Sequence, residues 1–236
     1  MIALDPTLDK MLAKIEDAKI IKKGGRIYYK GVFADTKIVL VQSPMGKVNN
    51  AITAQILISD FSVDAILSIS PAGAVSEELQ RGDMLWATTV FQHDFGTWKP
   101  YGFIWTIVPV QGDNSTPAYN YFLQKISASF SLQLEEKQGF KQGILVSGDQ
   151  FIASEKKRQW LREKFSADAT DMGGAAIVQT CFSNNIPVIL LRLITDHADQ
   201  QARLSFSESV SCEAHTKKIV RNVEGLIHFL TTNYSH

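Results

Sequence analysis

The sequence predicts an α/β fold: a single domain with a central mixed β-sheet flanked by helices. Three observations predict it. Short runs rich in Val, Ile and Leu alternate along the chain with stretches of helical periodicity. Several of those runs are continuously apolar, the pattern of strands buried on both faces. The 236 residues, with a hydrophobic content of 45%, suffice for one large core, and no repeat, low-complexity tract or Pro/Ser-rich linker divides them. The domain is therefore read as 1–236.

In chain order, PTLDKMLAKIED (6–17) has helical spacing, with Pro6 placed for helix entry. RIYYKGVF (26–33) alternates and reads as a strand near an edge. KIVLVQS (37–43), DAILSIS (64–70), DMLWATTVF (83–91), FIWTIVPV (103–110), GILVSG (143–148) and PVILLRLIT (187–195) are the apolar strands. Helices are predicted over KVNNAITAQILISDF (47–61), TPAYNYFLQKISASF (116–130), EKKRQWLREKF (155–165) and GAAIVQTCFSN (174–184). A last long helix follows over 207–230, with Ser207 ahead of it as a cap.

Composition excludes some partners. Lys plus Arg equals Asp plus Glu at 24 each, and no basic block stands out. Neither nucleic acid nor an acidic membrane is suggested. The two cysteines, Cys181 and Cys212, lie in apolar or helical contexts and read as buried free thiols. Five histidines form no metal-binding pattern, so no metal is predicted, and no cofactor. No apolar run reaches the roughly 20 residues that span a bilayer. The start, MIALDPTLDK, is too short and acidic for a signal peptide, which gives a cytoplasmic reading; a start this abrupt also fits a trimmed chain.

In open α/β sheets, ligands sit at strand carboxyl ends, on the loops entering helices. Five such places follow. SPMGKVNN (43–50) is a strand, a tight turn at Gly46 and a helix start, where free amides can face a polar ligand or simply make a turn. In SPAGAV (70–75) the small Ala72 and Gly73 let a ligand approach the backbone. SGDQFIAS (147–154) places Phe151 and Ile152 beside open amides, suited to a flat heterocycle or to the core. RLITDHADQQA (192–202) brings Thr195 and Asp196 to a strand end, where a half-buried carboxyl has a raised pKa and can donate a proton; a helix cap is the other reading of Asp196 or Asp199. ATDMGG (169–174) puts Gly173 and Gly174 at a helix start, although glycine costs about 1 kcal/mol against alanine inside a helix.

Taken together, these loops resemble the 5′-methylthioadenosine/S-adenosylhomocysteine nucleosidases of the nucleoside phosphorylase family. SPMGKVNNA, PAGAV followed by RGD, FQHD, ILVSGDQFI, DMGGAAIVQTC, IPVILLRLITDHADQQ and LSFSE fall in that family's order and approximate spacing, over nearly the whole chain. The resemblance implies an inverting hydrolysis that splits adenine from a thioribose through an oxocarbenium-like transition state. It makes Asp196 the acid that protonates purine N7, with Thr195 standing in for an assisting serine. Adenine would stack on Phe151 and pair with backbone at Phe151 and Ile152. Met172 would pack on the ribose, and Phe206 would line the pocket for the 5′-alkylthio group. The family also implies a homodimer, with Tyr101 or a nearby apolar residue covering part of the partner's pocket. No arginine-bearing phosphate loop is visible, which favours a hydrolase over a phosphorylase. Methionine salvage and the breakdown of a signal precursor both fit such an activity.

Two positions depart from the pattern. The family's ribose-gripping glutamate corresponds to Gly173, within the substrate-binding set. Its water-activating glutamate corresponds, by ungapped backward alignment, to Thr7, flanked by Asp5 and Asp9. The apolar first strand is reduced to MIAL, and Pro71 replaces a serine beside Ser70. Asp171, on an extended segment, is expected to point away from the side of Met172. The alternative to a nucleosidase is therefore a degenerate member that binds adenine or a purine nucleoside without cleaving it.

Overall fold

The computed structural model describes residues 5–106 and 139–234. Within them the chain opens with helix α1 (Asp5–Leu12) and an antiparallel meander, β1 (Glu16–Lys23), β2 (Arg26–Phe33) and β3 (Thr36–Val41). Helix α2 (Lys47–Phe61) leads to β4 (Ile66–Ala74) and β5 (Met84–Gln92), then to the hairpin β6 (Gly96–Lys99) and β7 (Gly102–Trp105). After residue 138 come β8 (Lys141–Ser147), α3 (Glu155–Phe165), β9 (Ala169–Asp171), α4 (Gly174–Ser183), β10 (Val188–Asp196), α5 (Ala202–Val210) and α6 (Glu213–Tyr234). The fold is the α/β architecture expected, with a mixed central sheet and, among the described residues, six helices. Of the predicted elements, the helix at 116–130 and residues 107–110 of the strand FIWTIVPV fall outside the described residues.

The central sheet closes on itself in the order β10-β4-β9-β8-β5. β10 and β4 run parallel, as do β8 with β5 and with β9, while β10–β5 and β4–β9 are antiparallel. Closure removes the exposed edges, so every residue of β10 is buried. Both barrel flanks are apolar. On one side α2 and α4 supply Ala54, Leu57, Ala175, Ile177, Val178 and Cys181. On the other, α6 contributes Ile219, Val220, Val223 and Leu226, an i, i+1, i+4, i+7 stripe.

Several local expectations are corrected. The first helix ends at Leu12 rather than Asp17, and the chain re-enters a strand at Glu16. β1 is charged and mostly exposed, so it carries no apolar alternation to be read. Both meander turns are two-residue hairpins with positive φ, at Gly24–Gly25 and Ala34–Asp35, the geometry that matches strand twist. β4 does not stop at Ser70 but runs through PAGA to Ala74, because β10 pairs with it as far as Gly73. The long last helix is two helices: Ser207 lies inside α5, and the break falls at Ser211–Cys212. Ser209 ties that region down, its hydroxyl donating to the Thr195 carbonyl at 2.8 Å. Cys181 is buried and Cys212 only half-buried; both are free thiols. Among the described residues, no helix is long and apolar enough to cross a membrane, and no cluster of three His, Cys, Asp or Glu could hold a metal.

Candidate active site

A cavity of about 250 Å³ opens where the carboxyl ends of β3, β4, β9 and β10 meet. Its walls are the β3–α2 loop (Ser43–Gly46), Asn50, the end of β4 (Ser70–Gly73), Gln150–Ile152, Thr170–Gly174, Arg192, Thr195, Asp196 and Phe206. Of the sequence-predicted residues, the structure brings together Ala72, Gly73, Phe151, Ile152, Met172, Gly173, Thr195, Asp196 and Phe206.

Asp196 is positioned by an irregularity in β10. Ile194 pairs with Ala72 and Asp196 with Gly73, so Thr195 is an inserted residue. Such a bulge re-aims side chains at a strand end. Gly73 gives the acid its room: a Cβ there would stand 2.7 Å from Asp196 Oδ1. Oδ1 accepts from the Ala198 amide at 2.9 Å, and Thr195 Oγ1 lies 2.9 Å from Oδ2 and 3.2 Å from the Ala72 carbonyl. Thr195 can thus donate to an ionised Asp196, or turn its proton onto Ala72 and accept from a protonated one. Burial lifts the Asp196 pKa above the usual carboxylate value, against the lowering pull of those two hydrogen bonds. An upward shift is the direction a leaving-group acid requires.

The cavity floor is a buried ion pair that the sequence reading missed. Arg192 Nε donates to Asp171 Oδ2 at 2.8 Å, with the two side chains 1% and 3% exposed. Arg192 Nη1 also donates to the carbonyls of Leu191 and Ser68 at 2.8 and 3.1 Å. Asp171 accepts in addition from the Ser147 hydroxyl and from the amides of Gly173 and Gly174. Asp171 contributes to the cavity lining, although its side chain is almost fully buried. Its oxygens are nonetheless committed to capping α4 and pairing Arg192. The signal was available, since an arginine inside the apolar run VILLRLIT must find a buried partner.

The two helix-start glycines are there for space. Gly174 has no room for a side chain, because a Cβ would lie 2.7 Å from Arg192 Nη2 and 2.8 Å from both Asp171 Oδ2 and Leu145 Cδ2. Gly173 has φ −165°, an extended backbone open to any residue, but a Cβ there would lie 2.6 Å from Asn50 Cγ.

The open side of the cavity is aromatic. Phe151 is 37% exposed, so it is not a core residue, and it meets Phe206 edge-on with centroids 5.8 Å apart. Ile152 is buried beneath. Three loops are clasped beside this wall. Lys47 Nζ bonds Asp94 Oδ1 at 2.7 Å, the Asp149 amide donates to Asp94 Oδ2 at 2.8 Å, and the Lys47 amide donates to Asp149 Oδ1 at 2.8 Å.

Two expected residues lie elsewhere. Thr7 is buried in α1, its hydroxyl without a partner among the described residues, and it is not among the residues that line the cavity. Backward alignment assumed an unbroken approach from the strand, whereas α1 packs against α6. Asp9, exposed on the same helix, does not line it either. Tyr101 sits 80% exposed at the turn of the β6–β7 hairpin, outside this chain's own cavity. Among the described residues, the only carboxylates lining the cavity are Asp171 and Asp196.

The site thus sets a buried carboxyl, two phenylalanine rings packed edge to face and a committed ion pair at the strand ends of a closed mixed sheet. The chain belongs to the phosphorylase superfamily, whose family model matches residues 1–227. It is 32% identical to the aminodeoxyfutalosine nucleosidase of Helicobacter pylori over 85% of each chain. It is 36% identical to the 5′-methylthioadenosine/S-adenosylhomocysteine nucleosidase of Staphylococcus aureus over 76% of this chain and 77% of the other. Among solved structures, the 5′-methylthioadenosine/S-adenosylhomocysteine nucleosidase of S. pneumoniae with a transition-state inhibitor superposes with a TM-score of 0.81 at 26% identity, covering 97% of each chain. These relatives are nucleosidases, which supports nucleoside hydrolysis as the class of activity.

Proposed function

We propose that the protein hydrolyses the N-glycosidic bond of 5′-methylthioadenosine or S-adenosylhomocysteine and releases adenine. The observation that carries the reading is Asp196: a buried carboxyl with a raised pKa at the wall of a cavity whose mouth is Phe151 and Phe206. In this reading adenine lies against Phe151, Asp196 delivers its proton to the purine as the glycosidic bond lengthens, and Thr195 steadies the acid in both protonation states. Met172 packs against the sugar, and Phe206 borders the 5′ substituent. Aminodeoxyfutalosine, named for two relatives, belongs to the same assay. The active form is read as a homodimer. Its support is the β6–β7 hairpin, which exposes Trp98, Tyr101 and Ile104 as a surface suited to a second copy.

A second reading is favoured by one observation: Asp171, the other cavity carboxylate, is held by Arg192, Ser147 and two amides, and so is not free to activate water. A protein lacking that base binds the nucleoside without cleaving it. Chromatographic assay of adenine release from the three nucleosides, with calorimetry of adenine binding alongside, separates the two. Release supports the hydrolase; binding without release at high protein concentration supports the binder; absence of both overturns the site.

A further inference from the structure

Asn50 occupies the place a side chain on residue 173 would take. A Cβ on Gly173 would lie 2.6 Å from Asn50 Cγ, nearer still to Nδ2, and 3.2 Å from Oδ1. The φ of Gly173 lies outside the left-handed region, and the three atoms nearest to a side chain there all belong to the asparagine across from it. Asn50 comes from the first turn of α2, which packs along α4, and both residues line the cavity.

The orientation of the amide is fixed. Nδ2 donates to the Gly46 carbonyl at 2.8 Å and the Pro44 carbonyl at 3.3 Å. Only the NH₂ end can donate, so the oxygen is the end left over. Among the described residues no donor bonds Oδ1. Asn50 and Gly173 both line the cavity, so a pinned amide with an unused acceptor beside Gly173 is suited to a ligand hydroxyl. Adenine's own donor is its amino group, which the proposed reading places with the base against Phe151 and Ile152; a ribose offers two hydroxyl donors.

We propose that Asn50 Oδ1 accepts a hydrogen bond from a ribose hydroxyl of the bound nucleoside, so that a neutral amide on α2 holds the sugar in place of a side chain on α4. This rests on the reading of the cavity as an adenine-nucleoside site. A side chain introduced at 173 alone would crowd the Asn50 amide.

The test is calorimetry with adenine, 5′-methylthioadenosine and its 2′-deoxy and 3′-deoxy forms as probes, with Asp196→Asn in every protein compared so that no nucleoside is cleaved, and with wild type meaning Asn50 and Gly173 intact. Asn50→Ala is expected to weaken methylthioadenosine binding roughly fivefold, the worth of one neutral hydrogen bond, and to leave adenine binding unchanged. One of the two deoxy forms should bind wild type more weakly than methylthioadenosine, and that discrimination should vanish in Asn50→Ala. Unchanged methylthioadenosine affinity in Asn50→Ala, with adenine still bound, overturns the proposal and leaves the nucleoside reading standing. Wild type that binds neither adenine nor methylthioadenosine overturns both. The exchange of space has its own readout: Gly173→Ala should lower the melting temperature in wild type and not in Asn50→Ala, and an equal loss in both backgrounds contradicts it.

Discussion

Replacing Arg192 by methionine removes the cation from the cavity floor while keeping an apolar stem of similar length. The pair it breaks is 1% and 3% exposed, so water cannot take over for Asp171. Loss of one member of a buried pair typically costs about 3–5 kcal/mol, against about 0–1 kcal/mol for an exposed pair. Two features place Arg192→Met within the upper range. The guanidinium also satisfies the Ser68 and Leu191 carbonyls, and its loss leaves Asp171 buried with only the Ser147 hydroxyl and two glycine amides as partners. At about 2–4 °C per kcal/mol for a domain of this size, the melting temperature should fall by roughly 6–20 °C. Urea unfolding of wild type, Arg192→Met, Asp171→Asn and the double variant completes the cycle. The double variant should be more stable than the sum of the single losses allows, because the second change removes the charge stranded by the first. A loss under about 1 kcal/mol in Arg192→Met would refute the argument, since that is what a hydrated pair is worth.

Gly174→Ala should destabilise the protein by about 1–3 kcal/mol in thermal melts through the contacts with Arg192, Asp171 and Leu145, despite alanine's better helix propensity. Burial raises the Asp94 pKa, but the hydrogen bond and charge of Lys47, with the Asp149 amide, outweigh it and hold the group below 3.8. A depressed folded pKa gives stability that is present above the unfolded value and lost as pH falls through the folded one, so the melting difference between wild type and Asp94→Asn should shrink below about pH 4. Asp196 has the opposite sign: its raised folded pKa gives stability that is whole below the unfolded value and lost as pH rises through the folded one. Asp196→Asn, which keeps an acceptor for the Ala198 amide, should therefore melt higher than wild type at pH 7 and converge with it in acid.

The parts of the fold legible in the sequence are those where burial leaves a continuous mark. α2 and α3 have the bounds their periodicity gives, and the barrel strands announce themselves as Val/Ile/Leu runs. What stayed hidden depends on partners distant in the chain. β1 is charged, so only its pairing with β2 makes it a strand. β9 is three residues long, yet it joins β4 to β8 and so allows the barrel to close. PAGA reads as a loop, but β10 draws it into β4. At the site, the strand-end loops were legible as candidates, but each alone fitted an ordinary turn, cap or core residue, and only their joint order singled out Asp196, Phe151 and the small residues that line the cavity. The ion pair of Asp171 with Arg192 and the contact of Asn50 with Gly173 were not, since each joins residues far apart in sequence through space alone. Asp171 shows the limit well: strand alternation says which way it leaves the backbone, not that two glycine amides and an arginine surround it.

The measurement that bears most directly on the account is adenine release from 5′-methylthioadenosine by wild type and Asp196→Asn, with adenine affinity measured for both. Removing a general acid typically lowers the rate by about 10²–10⁴-fold. The account predicts a loss of that size with adenine still bound by the variant, and a wild-type rate that declines as pH rises through the elevated pKa of Asp196. Release by Asp196→Asn at the wild-type rate would contradict it.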